Sequence, residues 1–270
     1  MTETITSPHN QLVKTAAALR QKKYRDELGL FTVEGVRLAE ELVAAGWPVE
    51  ICLFTAAAAE KPRVAPIISL LAASPCRLVQ VPDAVYAKIT DTQEPQGLML
   101  IAPPRKATVR DIVARPGPAL IAVLDGVQDP GNAGTVIRAA DAAGCSGVIL
   151  LKGCADLYAG KTVRATMGSL FHLPVAEGVT GDELAAALAA AAIPLAVATL
   201  DGAEEYTAAN LAGPVAVAFG NEGRGVSGGL IGRASARIAI PIYGKAESLN
   251  VATAAAVILY EAARQRRPTL

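Results

Sequence analysis

Three short stretches in the carboxy-terminal half combine amide, carboxylate, hydroxyl and guanidinium side chains with glycine. They are 125–138 (DGVQDPGNAGTVIR), 219–227 (FGNEGRGVS) and 240–251 (IPIYGKAESLNV). An apolar run of strand length precedes each stretch. The glycines allow the backbone to approach a ligand closely. Since α/β proteins bind ligands at the carboxyl ends of their strands, we expect the three stretches to converge on one pocket.

The glycine spacing excludes the common nucleotide-binding loops. The first stretch contains neither G-x-G-x-x-G nor G-x-x-x-x-G-K-[ST]. The sequence therefore lacks the motif that would assign it to the nicotinamide-dependent oxidoreductases, the common methyltransferases or the nucleoside triphosphatases. Simpler interpretations stay open for each stretch: an Arg138–Asp141 pair, a Glu222 that caps a helix or pairs with Arg224, and plain helix capping by Ser248 or Asn250.

No metal site is predicted. The four cysteines (Cys52, Cys76, Cys145 and Cys154) show no C-x-x-C spacing, and His9 and His172 lie far from them in sequence. Because each cysteine is in or beside an apolar run, we expect reduced, buried thiols.

Composition fits a soluble globular protein with a large core. Of 270 residues, 52% are hydrophobic and 19% charged, and the formal net charge is zero. No run is long enough to span a membrane and no signal-peptide core opens the chain, so we expect no membrane association and a cytoplasmic location. Zero net charge argues weakly against nucleic-acid binding. Basic residues nevertheless cluster at 14–25, where they form either a solvated helix face or an anion-binding surface.

Along the rest of the chain, predicted helices alternate with predicted strands, which indicates an α/β fold. In the first hundred residues we predict strands at 29–34, 50–55, 77–81 and 97–102, with helices at 36–45, 66–73 and 83–89. A further helix, capped by Ser7, is predicted to run to about Arg20 or Arg25. Prolines and basic residues interrupt the pattern after residue 102. We therefore expect domains at 1–104 and 118–270 joined by a linker at 105–117.

The second domain restarts with the strand that leads into the first polar stretch. Strands are predicted at 119–124, 147–151, 195–199, 215–219 and 238–242. Helices are predicted at 135–143, 161–169, 182–192, 227–233 and 248–264.

The three polar stretches, in their order and spacing, resemble the three motifs of the SpoU (TrmH) RNA methyltransferases. Segment 164–169 (RATMGS), before Leu173-Pro174, resembles a further segment between the first two motifs. The first domain is more weakly similar to the family's amino-terminal RNA-substrate-binding domain, through 7–10 (SPHN), 31–35 (FTVEG) and 96–97 (QG).

The resemblance implies a SPOUT domain with a mostly parallel sheet and a deep trefoil knot, preceded by a small α/β RNA-binding domain. It also implies methylation of a ribose 2′-hydroxyl in RNA, with S-adenosyl-L-methionine as the cofactor and a homodimer formed through the carboxy-terminal domain. Ribosomal RNA is favoured over tRNA, by analogy with the appended domain.

Site residues carry over from the resemblance by position. The catalytic set is Arg138, Asn132, Glu222, Ser248 and Asn250. The cofactor set is Gly220, Asn221, Gly223, Ile240, Ile242, Ser248 and Leu249. The RNA-binding candidates are chosen for their positive charge and not by position: Lys14, Arg20, Lys22, Lys23, Arg25, Lys161 and Arg164.

Arg138 needs a separate argument, because the family assigns the matching residue as the base that deprotonates the ribose hydroxyl. An arginine is always protonated in proteins. We therefore expect Arg138 to stabilise the developing alkoxide or to orient a phosphate. The competing functions are an inactive RNA-binding or ribosome-assembly protein on the same scaffold and, more remotely, a nucleotide-dependent oxidoreductase.

Overall fold

The computed structural model describes residues 2–267, which form two compact units. The first unit runs to Arg105 and also includes Tyr158–Phe171. The second unit comprises Lys106–Leu157 and the chain from His172 onward. The functional division into domains at 1–104 and 118–270 stays a prediction.

Eleven elements make up the amino-terminal part of the first unit. They are β1 (Thr2–Thr4), α1 (Gln11–Ala18), α2 (Lys22–Leu28), β2 (Phe31–Glu34), α3 (Val36–Ala44), β3 (Ile51–Phe54), α4 (Ala56–Ala59), α5 (Ala65–Ala72), β4 (Arg77–Gln80), α6 (Asp83–Ile89) and β5 (Leu98–Ala102).

The strands of the first unit form one five-stranded sheet in the order β1-β4-β3-β5-β2. Strands β1, β4 and β3 run parallel, whereas β5 is antiparallel to both β3 and β2. Alternating residues of β3 and β5 pack beneath α1 and α6, which contribute Leu12, Val13, Tyr86 and Ile89 to the core. β5 is buried along its whole length, as expected for a strand covered on both faces.

The remaining elements follow in chain order. They are α7 (Val109–Val113), β6 (Leu120–Asp125), α8 (Pro130–Ala142), β7 (Gly147–Leu151), α9 (Gly160–Ala165), a 3₁₀ turn (Ser169–Phe171), β8 (Val175–Val179), α10 (Gly181–Ala190), β9 (Leu195–Ala198), β10 (Glu204–Glu205), β11 (Val215–Gly220), α11 (Gly228–Ile231), β12 (Ala236–Ala239) and α12 (Val251–Gln265).

The second unit is built on a seven-stranded sheet in the order β10-β12-β9-β11-β6-β7-β8. Every pairing in it is parallel, so all carboxyl ends meet at one edge. Its apolar core contains inward-facing residues of β6, β7, β9 and β11, and α10 adds Leu184 and Leu188. The predicted mostly parallel α/β sheet is thus confirmed, while the trefoil knot stays a prediction.

The segment between β7 and β8 packs in the first unit. Helix α9 lies against β2. The ring of Tyr158 lies 4.7 Å from that of Phe31, and Phe171 meets Trp47 at 5.3 Å in an edge-to-face arrangement. Because a side chain at position 168 would approach Glu41 to 2.5 Å, Gly168 allows close packing at this place.

Several predicted boundaries were wrong, for local reasons. The helix predicted from Ser7 to about Arg20 or Arg25 ends at Ala18, and a second helix starts at Lys22. The cap of the first helix is Asn10, whose side chain accepts from the Leu12 N–H, rather than Ser7. The predicted strand at 238–242 ends at Ala239. Of the two candidate caps for the last helix, Ser248 and Asn250, the structure has Asn250, so α12 starts at Val251. Strands β1, β8 and β10 and helices α4 and α7 were not predicted.

Within residues 2–267 no helix is both long and apolar enough to cross a lipid bilayer. No three His, Cys, Asp or Glu side chains of this range gather as metal ligands. All four cysteines are free thiols, but Cys76 and Cys154 are only half-buried, which corrects the expectation of full burial.

Candidate active site at the carboxyl edge of the parallel sheet

The first polar stretch is a turn that ends in a capped helix. Strand β6 ends at Asp125, and Gly126 turns the chain with a φ of +69°, which glycine adopts without strain. Asp129 then caps α8, since its Oδ1 accepts the Asn132 N–H at 2.8 Å. Proline at the first helical position needs no partner for its nitrogen. This local chemistry places the Asn132 side chain at the start of the helix.

The second stretch is a tight hairpin after β11. The backbones of Asn221 and Gly225 exchange two hydrogen bonds, at 3.0 and 2.9 Å. The Asn221 side chain spans the turn: its Nδ2 donates to the Gly126 carbonyl at 2.8 Å, and its Oδ1 accepts from Gly223 and Arg224. A Cβ at Gly220 would lie 2.0 Å from the Gly225 carbonyl carbon, so this close fold requires glycine.

The third stretch ends in the amino terminus of α12. The Asn250 side chain caps this helix, because its Oδ1 accepts from the N–H groups of Ala252 and Thr253 at 2.9 and 3.3 Å. Asparagine is among the preferred capping residues. The capping role, one of the simpler interpretations of this stretch, is therefore present.

A chain of side-chain hydrogen bonds joins the three stretches. Asn250 Nδ2 donates to Asn132 Oδ1 at 3.0 Å, and Asn132 Nδ2 donates to Glu222 Oε1 at 2.7 Å. Asn221 Nδ2 lies 3.4 Å from the other Glu222 oxygen. The convergence predicted from the sequence is thus present for Asn132, Glu222 and Asn250, which we call the amide relay.

Helix capping fixes the direction of the amide relay. The Asn250 oxygen is taken by helix N–H groups, so its amide nitrogen must face Asn132. Asn132 then presents its oxygen to Asn250 and its nitrogen to Glu222, whose carboxylate only accepts while ionised. The possible Glu222–Arg224 pair is not present, since Glu222 accepts hydrogen bonds from Asn132 and Asn221 instead.

A cavity of about 550 Å³ opens beside the amide relay, within the range of small-molecule sites. The ends of β9, β11 and β12 and the start of α12 line it. All seven predicted cofactor residues are among its lining: Gly220, Asn221, Gly223, Ile240, Ile242, Ser248 and Leu249. The mixture of apolar side chains with glycine backbone suits an aromatic ring linked to polar groups.

Arg138 lies outside the amide relay. It follows Asn132 by six residues, about 9 Å along the axis of α8, and its side chain is exposed. Within residues 2–267 it makes no hydrogen bond or ion pair. Asp141, its possible partner in the simpler interpretation, instead contacts His172 Nδ1 at 2.9 Å.

The cavity also contains polar residues that the sequence reasoning missed. Thr199 and Asp201 line it from the end of β9. Both follow an apolar strand, so the rule that identified the other three stretches would have found them too. Asp201 and Glu222 are the two carboxylates of the lining, and the lining contains no Lys, Arg or His.

Cys154 lies beneath the first polar stretch. Its Sγ is 3.1 Å from the Leu124 carbonyl, and the neighbouring Ala155 N–H donates to the Val127 carbonyl at 2.8 Å. Burial raises the pKa of this thiol to about 11. Cys154 therefore stays a protonated donor at neutral pH and supports the turn at 124–127.

The predicted RNA-binding residues near the amino terminus differ in accessibility. Lys14 and Lys23 are exposed. Lys22 is exposed but pairs with Asp26 at 3.3 Å. The exposed Arg20 donates to the carbonyls of Lys88 and Thr90. Lys14 and Lys23 are thus the members best placed to meet a phosphate.

Arg25 is a correction to this set. Its side chain is buried, and its guanidinium donates to the carbonyls of Leu19 and Arg20 at 2.8 Å each. These bonds hold the junction between α1 and α2. A phosphate contact would require breaking them, so we no longer assign Arg25 to RNA.

Lys161 and Arg164 lie on α9, in the first unit. Lys161 is exposed, whereas Arg164 pairs with Asp91 at 3.3 Å. Asp91 belongs to a turn that is held by the buried Glu34, whose carboxylate accepts from Asp91 N–H and from the Thr90 and Thr92 hydroxyls. Glu34, part of the weaker resemblance, therefore has a structural role here.

The fold and the site together define an α/β protein that binds a small molecule at the carboxyl edge of a parallel sheet, beside a polar cluster suited to catalysis. Comparison with known proteins narrows this class. Residues 119–260 match the model of the SpoU rRNA methylase family, and residues 10–100 match the MRM3-like substrate binding domain. The chain belongs to the SpoU rRNA methylase family.

Relatives cover almost the whole chain. The 23S rRNA (guanosine(2553)-2′-O)-methyltransferase RlmP of Bacillus subtilis is 34% identical, covering 95% of this chain and 97% of its own. A 23S rRNA (uridine(2479)-2′-O)-methyltransferase of Streptomyces viridochromogenes is 30% identical, covering 97% and 92%. The crystal structure of an AdoMet-bound rRNA methyltransferase from Sinorhizobium meliloti has a TM-score of 0.88 at 35% identity, covering 97% and 98%.

Proposed function

We propose that the protein transfers a methyl group from S-adenosylmethionine to a ribose 2′-hydroxyl of ribosomal RNA. The observation that carries this proposal is the amide relay at the edge of the 550 Å³ cavity, formed by the three family motifs. Both named relatives above act on 23S rRNA. A cytoplasmic location is part of this proposal.

The cavity fits the cofactor. Ile240, Ile242 and Leu249 offer apolar contact for the adenine ring, and the backbone at Gly220 and Gly223 is open to close approach. Asp201 and Glu222 give the lining a negative charge, which suits a sulfonium cation. When bound, the cofactor supplies an electrophilic methyl group on that sulfonium.

The amide relay positions the reacting groups. The ribose 2′-oxygen would bond to the methyl carbon as the methyl–sulfur bond breaks and would release its proton to solvent, so its lone pair must be held in line with the methyl carbon. Glu222 is the acceptor at the end of the relay, and Asn132 and Asn250 fix its orientation. Ser248, exposed in the lining, adds a hydroxyl that can donate or accept.

We propose further that the protein is a homodimer and that Arg138 acts in the site of the partner copy. Within residues 2–267 the guanidinium makes no hydrogen bond to the amide relay of its own chain, and it stands on an exposed face of α8 with Thr135 and Ala142. In the partner's site it would stabilise the alkoxide or hold a phosphate.

The amino-terminal unit would hold the RNA. The match to a substrate-binding domain supports this role, and the exposed Lys14 and Lys23 supply positive charge. Phosphate contacts should make RNA affinity fall as salt rises.

The primary test is methyl transfer from labelled S-adenosylmethionine to rRNA of a strain that lacks the protein. We expect label in one rRNA species with wild-type protein and none with Asn132→Ala, although the variant still binds the cofactor. Full activity of Asn132→Ala would remove the amide relay from the mechanism. Cofactor binding without methylation of rRNA or of precursor particles would favour the inactive RNA-binding scaffold.

Co-expression of two inactive variants tests the shared site. Asn132→Ala and Arg138→Ala chains, carrying different tags, should each be inactive alone. A mixed dimer contains one site with both wild-type residues, so random pairing predicts about a quarter of wild-type activity. No recovery in purified mixed dimers would show that Arg138 acts within its own chain.

A further inference from the structure

Two segments begin and end in the cavity lining but leave it in between. In the hairpin, Gly223 and Gly225 line the cavity whereas Arg224 does not. In the loop before α12, Ile242 and Ser248 line it whereas residues 243–247 do not. The residues between them are exposed and adjoin the lining along the chain, and we call Arg224, Tyr243 and Lys245 the rim residues.

Arg224 is a cation held on a rigid support. Its backbone N–H donates to Asn221 Oδ1 at 3.2 Å, and the hairpin is closed by backbone bonds between Asn221 and Gly225. The side chain is exposed and, in the part of the chain that the structure describes, makes no hydrogen bond or ion pair. Glu222, two residues away, does not neutralise it because its oxygens face Asn132 and Asn221.

Tyr243 is exposed to an unusual degree. Its side chain is 92% exposed, more than the other exposed large hydrophobic residues of the described chain. Lys245, two residues on, is exposed as well and makes no ion pair within residues 2–267. An aromatic ring next to a lysine, on a loop with glycine at 244, is the composition of surfaces that stack nucleobases.

RNA chemistry requires such groups at this place. The 2′-hydroxyl is on the carbon next to the one that bears the 3′-phosphate, so a phosphate accompanies the reacting oxygen into the site. The Glu222 carboxylate of the amide relay would repel this phosphate, and the cavity lining contains no cation that could attract it. Beyond the proposed Arg138 of the partner copy, any further positive charge must come from groups of this chain beside the relay, and Arg224 is separated from Glu222 by one residue.

We propose that the rim residues bind the nucleotide that is methylated: Arg224 and Lys245 bind its flanking phosphates, and Tyr243 stacks on its base. The inference rests on the proposed function and adds the part of the protein that holds the target nucleotide. Stacking accepts any base, so specificity for one nucleotide comes from elsewhere in the complex.

The test measures RNA binding separately from methylation. Wild-type protein, Arg224→Ala, Arg224→Lys, Tyr243→Ser and Tyr243→Phe are titrated with in vitro transcribed 23S rRNA at several salt concentrations. Cofactor affinity is measured by calorimetry, and methyl transfer in the same preparations. Arg115→Ala is the matched control, because Arg115 is also exposed but precedes β6 at the opposite edge of the sheet.

We expect Arg224→Ala to weaken RNA binding about fivefold or more and to reduce the salt slope by about 0.7, the value for one phosphate on a single strand. Tyr243→Ser should weaken it about 5- to 150-fold, the range for loss of one stacked base. Arg224→Lys and Tyr243→Phe should recover most of the affinity. Cofactor affinity should be unchanged in all four variants.

The inference is overturned if Arg224→Ala and Tyr243→Ser bind RNA as Arg115→Ala does. It is also overturned if cofactor affinity falls together with RNA affinity, since the rim would then only shape the cavity. If the wild-type protein transfers no methyl group but Arg224→Ala and Tyr243→Ser still weaken RNA binding, the proposed function is contradicted. The rim residues would in that case still be an RNA-binding surface.

Discussion

At the scale of single residues, the site depends on the direction of a few hydrogen bonds. Each amide of the relay has one donor end and one acceptor end, and the cap of α12 decides which end of Asn250 faces Asn132. Sequence spacing predicted that Asn132, Glu222 and Asn250 meet, because strand ends of a parallel sheet share an edge. It could not predict the direction of their bonds, which depends on side-chain geometry.

The first prediction reverses that direction. Asn250→Asp keeps the helix cap, since a carboxylate accepts the same two N–H groups, but it cannot donate to Asn132. Asn132 must then turn its nitrogen away from Glu222 or leave two oxygens in contact. We expect methyl transfer to fall about 10- to 100-fold, or about 1.4 to 2.7 kcal/mol, with the melting temperature unchanged. Normal activity would show that the relay direction is unimportant.

A second residue-scale prediction concerns the hairpin. Gly220→Ala would place a Cβ 2.0 Å from the Gly225 carbonyl carbon and 2.1 Å from the Val226 nitrogen. Both neighbours are backbone, so the hairpin must move away from the cavity. We expect cofactor affinity to fall at least tenfold, or about 1.4 kcal/mol. Gly229→Ala, with open space around the added carbon, is the control and should bind normally.

At the scale of secondary-structure elements, the end of α12 is fastened to the chain segments before β6 and β11. Arg266 donates to the carbonyls of Pro118, Ala119, Leu211 and Gly213. Gln265 adds two bonds, to Ala209 and Leu211. Because α12 begins with Asn250 of the amide relay, this attachment fixes the helix at the end opposite the site.

The third prediction tests this attachment. Arg266→Ala leaves the carbonyls of Leu211 and Gly213 without this donor, whereas the Ala119 carbonyl keeps the Val215 N–H. This loss should lower the free energy of unfolding by about 2–3 kcal/mol. Arg267→Ala removes an exposed guanidinium next to it and should change stability by less than about 0.5 kcal/mol. Urea unfolding of both variants checks the difference. Equal stability would show that water replaces the arginine at no cost.

The three strands that the sequence did not predict, β1, β8 and β10, all lie at the edge of a sheet. Strand β8 lies at the edge of its sheet, and its Glu177 and Gly178 are exposed whereas Val175, Ala176 and Val179 are buried. Its apolar pattern is therefore too short to read as a strand. β1 and β10 are edge strands of two or three exposed residues, formed by pairing with β4 and β12 rather than by their own composition.

At the scale of the whole molecule, sequence order and spatial grouping differ. Tyr158–Phe171 lies between β7 and β8 in the chain but packs with the first unit. Its pattern predicts a helix and says nothing of which core receives it, since the receiving residues, Phe31 and Trp47 among them, are more than a hundred positions away. The composition break after residue 102 marks only one of the places where the chain passes between the units.

The free thiols give the last prediction, which concerns the stability of the whole molecule in alkali. Burial raises the pKa of Cys145 to about 12 from its ordinary value of 9.0. The folded protein therefore keeps this proton above pH 9 while the unfolded chain releases it. Since the unfolded state then binds fewer protons, the free energy of unfolding falls as pH rises through this window.

For Cys145 alone the loss should approach about 1 kcal/mol between pH 9 and pH 10, with none below pH 8. Lysines and tyrosines also titrate in this range, so the informative quantity is the difference between wild-type protein and Cys145→Ala. Urea unfolding under reducing conditions at pH 7.5, 9 and 10 measures it. We expect the wild-type free energy to fall more steeply than that of Cys145→Ala, which has no thiol to ionise at that position. Parallel curves would show that the thiol at 145 reaches water in the folded state.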